Sequence, residues 1–391
     1  MLLLGLANAS SYIPRAATNT TLTPAEIQEL YSLHEALVDI PSTSFEEIAA
    51  AEFVEEYLTN LGYTVERNQV SNGRFNVFAY PSTLTTWPQV LITSHLDTVP
   101  PHIPFSRRVI NGTTYHHGRG TVDAKGPIAA QIIATHSFLQ SRNSSTTTTT
   151  PTPSLGLLFV VGEETGGDGM KAFATYSANT TFRAGIFGEP TEGLLATGHK
   201  GSVGGSLSVQ GREAHSAYPW LGINAINYIT SAIAALNALE PALPAGDVLG
   251  NSTLAVGLIA GGIASNIIPP NANASVLVRV ASGEPDAIRA QILDALAPVV
   301  ERLEREGGRF NVSFSQFGYG PQFLDTDVPG LEVGPMFYGT DIPFLPNVEK
   351  RYLYGPGSIQ VAHKPEEQIS QGELVEAAES YGTILRHLFE E

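Results

Sequence analysis

The chain has 391 residues, a formal net charge of −17 and no cysteine. Its length exceeds what one hydrophobic core usually supports and predicts about two domains. Without cysteine there can be no disulfide, thiolate metal site or cysteine nucleophile, so any metal must be held by His, Asp and Glu. The acidic balance and the lack of a basic cluster argue against nucleic acid as a partner, and no apolar run reaches the roughly 20 residues of a membrane helix.

The start, "MLLLGLANAS", resembles the apolar part of a secretory signal without its basic region, so residues 1–22 read as a signal remnant or a disordered N-terminus. Asn-x-Ser/Thr sequons begin at Asn8, Asn19, Asn111, Asn143, Asn179, Asn251, Asn273 and Asn311, where chance would give roughly three. Together these predict a secreted glycoprotein, with a cytoplasmic location as the alternative.

Thr23-Pro24-Ala25-Glu26 joins a capping residue, a proline at the first helical position and a reciprocal Glu, so a helix is expected to about Val38. Ser44 and Glu47 suggest the same device for a second helix stopping at Gly62. Short apolar runs at Asn76–Ala79, Val90–Thr93, Leu155–Val161 and Ala184–Phe187 read as buried parallel strands of an α/β sheet. Between a helix at Pro127–Leu139 and the third run lies "SRNSSTTTTTPTP", a low-complexity stretch expected to be a surface loop and not a domain boundary.

From Gly201 the pattern changes to strand, helix, strand, strand, helix, strand, ending at "RFNVSFSQFG". That order is the ferredoxin-like sandwich, inserted into the first domain. The expected division is 23–199 and 318–391 for the first domain and 200–317 for the insert, with a last helix from about Ser370.

Three apolar runs end in potential metal ligands: "VLIT" before His95 and Asp97, "LGLLFVV" before Glu163 and Glu164, and "AGIF" before Glu189. Open parallel sheets bind ligands beyond the carboxyl ends of their strands, so these residues should converge, and converging acids need a cation. Asp123 in "GRGTVDAKG" and His363 after "YGPGSIQVAH" lie in glycine-rich turns. His95, Asp123, Glu164, Glu189 and His363 supply two imidazoles and three carboxylates, a donor set for two zinc ions sharing one carboxylate. Asp97 is then expected to accept the second ring N–H of His95. Each piece alone has a bland reading: His-x-Asp as a surface turn, Glu-Glu as a solvated helix face, "GRG" as a turn.

The segments "SHLDTVP", "GRGTVDAKG", "VVGEETGG", "GEPT", "GREAHSAYP", "NIIPPNANASVLVRV" and "GPGSIQVAHKPEE" resemble the zinc exopeptidases and deacylases that include acetylornithine deacetylase, succinyl-diaminopimelate desuccinylase, aminoacylase-1 and glutamate carboxypeptidase, with the nearest likeness to secreted fungal-type carboxypeptidases. The resemblance implies an α/β catalytic domain with a mostly parallel sheet flanked by helices, and an inserted ferredoxin-like lid or dimerisation domain. It implies His95 and Glu189 on one zinc, Glu164 and His363 on the other, Asp123 as bridge, Glu163 as general base, Asp97 behind His95, and a cis peptide after Asp123. Co²⁺ or Mn²⁺ could replace zinc in such a shell. By the same resemblance His215 serves as oxyanion donor, and Asn266, Arg279 and the Gly355-Pro356-Gly357 turn bind a substrate carboxylate. For His215 the local alternative is a turn cap, and for Arg279 a cross-strand surface charge. The implied activity is hydrolysis of an amide in a small peptide or N-acyl amino acid, with a homodimer formed through the insert. An acetylornithine deacetylase-type enzyme, a non-catalytic binding module and an adhesive glycoprotein are the competing readings.

Overall fold

The computed structural model describes residues 20–143 and 152–390. Both the signal-like start and most of the Thr-rich stretch lie outside them. The described residues form two compact units, one of residues 20–143, 152–196, 324–333 and 344–390, the other of residues 197–323 and 334–343. The second unit therefore takes the segment Gly334–Pro343, which the sequence pattern assigned to the first.

Helix α1 (Pro24–Asp39) begins with the predicted capping box: Thr23 accepts from Glu26 N, and Glu26 answers on Thr23 N. Helix α2 (Ile48–Asn60) departs from expectation, since its N-cap is Glu47 and among the described residues no side chain caps it. Ser44 instead donates to Asp97, and Glu47 is buried against Arg74 in a two-bond ion pair. A tertiary partner, stronger because it is charged, has taken each residue from the helix end. Strands β1 (Tyr63–Ser71), β2 (Arg74–Pro81) and β3 (Val90–His95) follow, then α3 (Lys125–Asn143), β4 (Leu155–Val160), α4 (Asp168–Tyr176) and β5 (Phe182–Gly188).

The second unit runs β6 (Gly201–Gln210), α5 (Ala225–Leu239), β7 (Thr253–Gly261), β8 (Asn271–Val280), α6 (Pro285–Arg305) and β9 (Arg309–Phe314). Strand β10 (Val348–Tyr354) and helix α7 (Gln371–Glu390) complete the first. The large sheet has the order β1-β2-β4-β3-β5-β10. Its members β4, β3, β5 and β10 are mutually parallel neighbours, and residues of β3 and β4 are buried throughout. The run at Asn76–Ala79 lies in β2, which is antiparallel to both neighbours, a correction to its reading as a parallel strand of a mostly parallel sheet. Burial on both faces gives an apolar run whatever the strand direction, so composition could not show it.

The smaller sheet has the order β7-β8-β6-β9 and is antiparallel throughout, the ferredoxin-like arrangement. Leu207, Val209, Val276 and Val278 face Ile229, Leu236, Ile288 and Ile292 of its two helices in a separate core.

Candidate metal centre

Strands β3, β4, β5 and β10 run in the same direction, so their carboxyl ends share one edge. His95 ends β3, Glu163 and Glu164 follow β4, Glu189 follows β5, and Gly355 follows β10. Strand direction thus assembles residues far apart in sequence. Asp123 enters from the turn before α3, where the Asp123–Ala124 peptide is cis, and His363 from the loop after β10.

His95 Nε2 lies 2.9 Å from Asp123 Oδ1 and 3.6 Å from Glu189 Oε2. His363 Nε2 lies 3.1 Å from Asp123 Oδ2 and 3.1 Å from Glu164 Oε1. The two oxygens of Asp123 therefore face different histidines, each with its own glutamate. Donor atoms of His95, Asp123 and Glu164 all lie within 4.8 Å of one another, as do those of His95, Glu163 and Glu189.

Burial, with the charges of Asp123 and Glu164 adding to it against His95, pushes the Glu189 carboxyl up to about 7. Glu164 is also raised, by burial and then by the charge of Asp123. For Asp123 burial opposes ionisation, yet bonds from His363 and His95 hold its carboxyl well below the ordinary value. His363 is raised to about 10 by its bonds to Asp123 and Glu164. Among the described residues no lysine or arginine forms an ion pair with Asp123, Glu164 or Glu189; their charged partners are the two imidazoles. Crowded, buried oxygens flanked by two histidines, with one carboxylate facing both ways, are a donor set that fits two first-row divalent cations.

The expected role of Asp97 needs correction. His95 Nδ1 meets the main-chain carbonyl of Asp97 at 2.9 Å, while the carboxylate stands 3.6 Å away, beyond direct hydrogen bonding. The buried carboxylate instead accepts from Ser44 Oγ (2.8 Å), Glu163 N (3.0 Å) and Glu164 N (3.2 Å). Asp97 fixes the turn that presents both glutamates. The role of Ser44 was invisible in sequence because the two partners stand 53 positions apart.

Gly355 is required beside this edge: a Cβ there would stand 2.3 Å from the carbonyl oxygen of Glu189. His215, Asn266 and Arg279 belong to the second unit. His215 pairs with Ile267 in a short ladder, and the Asn266 carbonyl accepts from Ser216 N, so these two are neighbours. Ala217 N donates to His215 Nδ1, which both caps the local turn and leaves Nε2 as the protonated, donating nitrogen of the neutral ring. The side chain of Arg279, in β8, has no carboxylate partner among the described residues, and its Nη1 packs against Gly339.

A two-unit fold with convergent His and carboxylate donors beyond a parallel sheet edge defines a metal-dependent hydrolase class. The comparisons make this specific. Residues 197–304 match the model of a peptidase dimerisation domain. The chain is 44% identical, over 91% of its length and 86% of the relative's, to a probable carboxypeptidase of Aspergillus fumigatus. It shares its fold with an M20 family metallo-carboxypeptidase of Sulfolobus solfataricus (TM-score 0.69, 18% identity, 92% and 98% of the two chains covered). The dinuclear metal-binding M20 peptidase of Bacillus subtilis also has this fold (TM-score 0.65, 14% identity, 94% and 99% covered). The chain belongs to the M20 family of metallopeptidases.

Proposed function

We propose that the chain is a secreted dizinc carboxypeptidase or aminoacylase that hydrolyses the amide next to a free α-carboxylate. The observation that carries this reading is the Asp123 carboxylate, one oxygen 2.9 Å from His95 and the other 3.1 Å from His363. His95 and Glu189 would hold one zinc, Glu164 and His363 the other, with Asp123 between them. Bound there, the ions would polarise the amide carbonyl and ease ionisation of water near neutral pH. Glu163 takes the proton of the attacking water and hands it to the departing nitrogen, so the proton is conserved through the cycle. In the second unit, His215 Nε2–H is a donor of the type that the family resemblance assigns to a carbonyl oxygen gaining charge. Within the second unit Arg279, with its two-pronged guanidinium, and Asn266 offer donors suited to a free carboxylate, and within the first unit the turn at Gly355 offers main-chain donors of the same kind.

Support for a homodimer comes from β7, an edge strand that among the described residues pairs on one side only. Leu258 (73% exposed), Ile259 (56%) and, just beyond the strand, Ile263 (73%) leave an apolar edge that a second copy would cover. Secretion is supported by the exposed sequon asparagines Asn111, Asn179, Asn251, Asn273 and Asn311. Expression in a glycosylating host, with medium and cell fractions probed before and after glycan removal, tests this; an unshifted protein kept in the cell would end it.

The activity is tested with zinc-loaded and chelator-treated protein against dipeptides and N-acyl amino acids. Zinc-dependent hydrolysis of dipeptides, lost in Glu163→Gln, is the expected result. Strict preference for N-acetylornithine would place the chain with the biosynthetic deacylases instead.

A further inference from the structure

His363 has φ of 62°, in the left-handed region that a non-glycine residue occupies only at a cost of roughly 1–3 kcal/mol. Something in the surroundings must hold it there. The five residues beginning with His363 are fastened to the segment that leads into Asp123. His117 Nε2 donates to the Pro365 carbonyl at 3.0 Å. Arg119 Nη1 donates to the Lys364 carbonyl at 3.2 Å and to Glu367 Oε2 at 2.6 Å. Glu367 Oε1 accepts from Val122 N at 3.2 Å and Asp123 N at 3.4 Å, and its carbonyl accepts from Gly118 N at 3.2 Å. The Arg119 and Glu367 side chains are 3% and 1% exposed, so this ion pair is not weakened by water as a surface pair would be.

We infer that Arg119 and Glu367 are positioning residues, a buried clamp that holds His363 in its strained conformation against Asp123. This rests on the proposed reading of the metal centre. The clamp touches the main chain on both sides of the His363–Asp123 contact, so it sets the spacing of two donors by fixing their backbones. His95 and Glu189 stand at strand ends and owe it nothing. Loosening the clamp lets His363 relax to an ordinary φ and swing from Asp123 and Glu164. The ion served by His363 and Glu164 should therefore weaken more than the ion at His95 and Glu189, which shares only Asp123 with it.

Glu367→Gln is the first variant: it keeps a carbonyl oxygen for the Val122 and Asp123 N–H groups but turns an amide NH₂ toward Arg119. Zinc binding to the full chain is titrated against a chromogenic chelator, and unfolding is followed separately on metal-free protein. Outer-shell partners of metal ligands are typically worth 10–100-fold in affinity, so one of two zinc sites should weaken by roughly that factor. Arg119→Lys, which preserves the charge but replaces the guanidinium whose Nη1 reaches both Lys364 and Glu367, should fall between. In a His363→Ala background, Glu367→Gln should cause no further loss of zinc affinity, since both act on the same donor. Unchanged affinity at both sites, equal weakening of both, or additive losses in the double variant would each overturn the clamp. If the unaltered chain itself bound no divalent ion, the reading of the metal centre would fall instead.

Discussion

Asp97→Asn offers a test of how the glutamate turn is held. The buried Asp97 carboxylate accepts one bond from Ser44 Oγ and one each from Glu163 N and Glu164 N. It is ionised: burial works against the charge, but His95, Ser44 and Glu163 N together hold the carboxyl below its usual range. An asparagine has one acceptor oxygen where the carboxylate had two. If its NH₂ replaces Oδ2, Ser44 can turn to accept, but Glu164 N–H faces another donor. If it replaces Oδ1, the conflict moves to Glu163 N–H. One unsatisfied N–H costs about 1–3 kcal/mol, and the remaining bonds lose their charge assistance, so metal-free protein should be destabilised by about 2–4 kcal/mol. His95 is held by the main-chain carbonyl and should keep its place, while the turn carrying Glu163 and Glu164 loosens. Dipeptide hydrolysis should then drop roughly 10–100-fold in kcat/KM. Urea unfolding of the metal-free variant and steady-state kinetics of the zinc form check both figures. Stability within about 0.5 kcal/mol of wild type, with unchanged kinetics, would refute the assignment.

Glu163→Gln should lower kcat by roughly 10²–10⁴-fold with two zinc ions still bound by elemental analysis, as loss of a general base would; loss of an ion would make Glu163 a ligand. Stripping the metal with chelator should lower the thermal midpoint as well as activity, because ions bound only by the native state stabilise it by mass action; calorimetry with and without zinc decides. His34 and His116 stack with Nδ1 to Nδ1 at 2.9 Å; His34 Nε2 donates to the Thr121 carbonyl, so His34 Nδ1 accepts from His116 and His34 is neutral, and Gln371 Nε2 donating to His116 Nε2 at 3.2 Å calls for a neutral His116. Burial and then Arg107 push His116 from 6.5 to about 4, and burial also holds His34 well below its usual value. Between those limits the unfolded chain binds more protons than the native one, so stability should fall as pH drops from 6.5 toward 4. Urea midpoints of metal-free protein should show this slope and a flatter one in His116→Phe; equal slopes would refute it. Leu258→Asp should yield a monomer by light scattering if β7 is the dimer edge, and an unchanged mass would exclude that edge.

Local chemistry is what the sequence by itself determined. The capping box at Thr23 and Glu26, the alternation of β6 and β8 and the long amphipathic α6 all depend on residues a few positions apart, and each formed as read. The strand-end placement of His95, Glu163, Glu164 and Glu189 was legible for the same reason, since an apolar run followed by a charge marks where a buried strand meets its edge. Only the tertiary structure decided which way β2 runs, where Ser44 and Glu47 spend their hydrogen bonds, and that Asp97 serves the glutamate turn before it serves His95. It also decided that Arg119 and Glu367, 248 positions apart, meet beneath the centre. These are contests between a local partner and a distant one, and the distant partner wins where burial strengthens a charged hydrogen bond, a condition that exists only once the chain has folded.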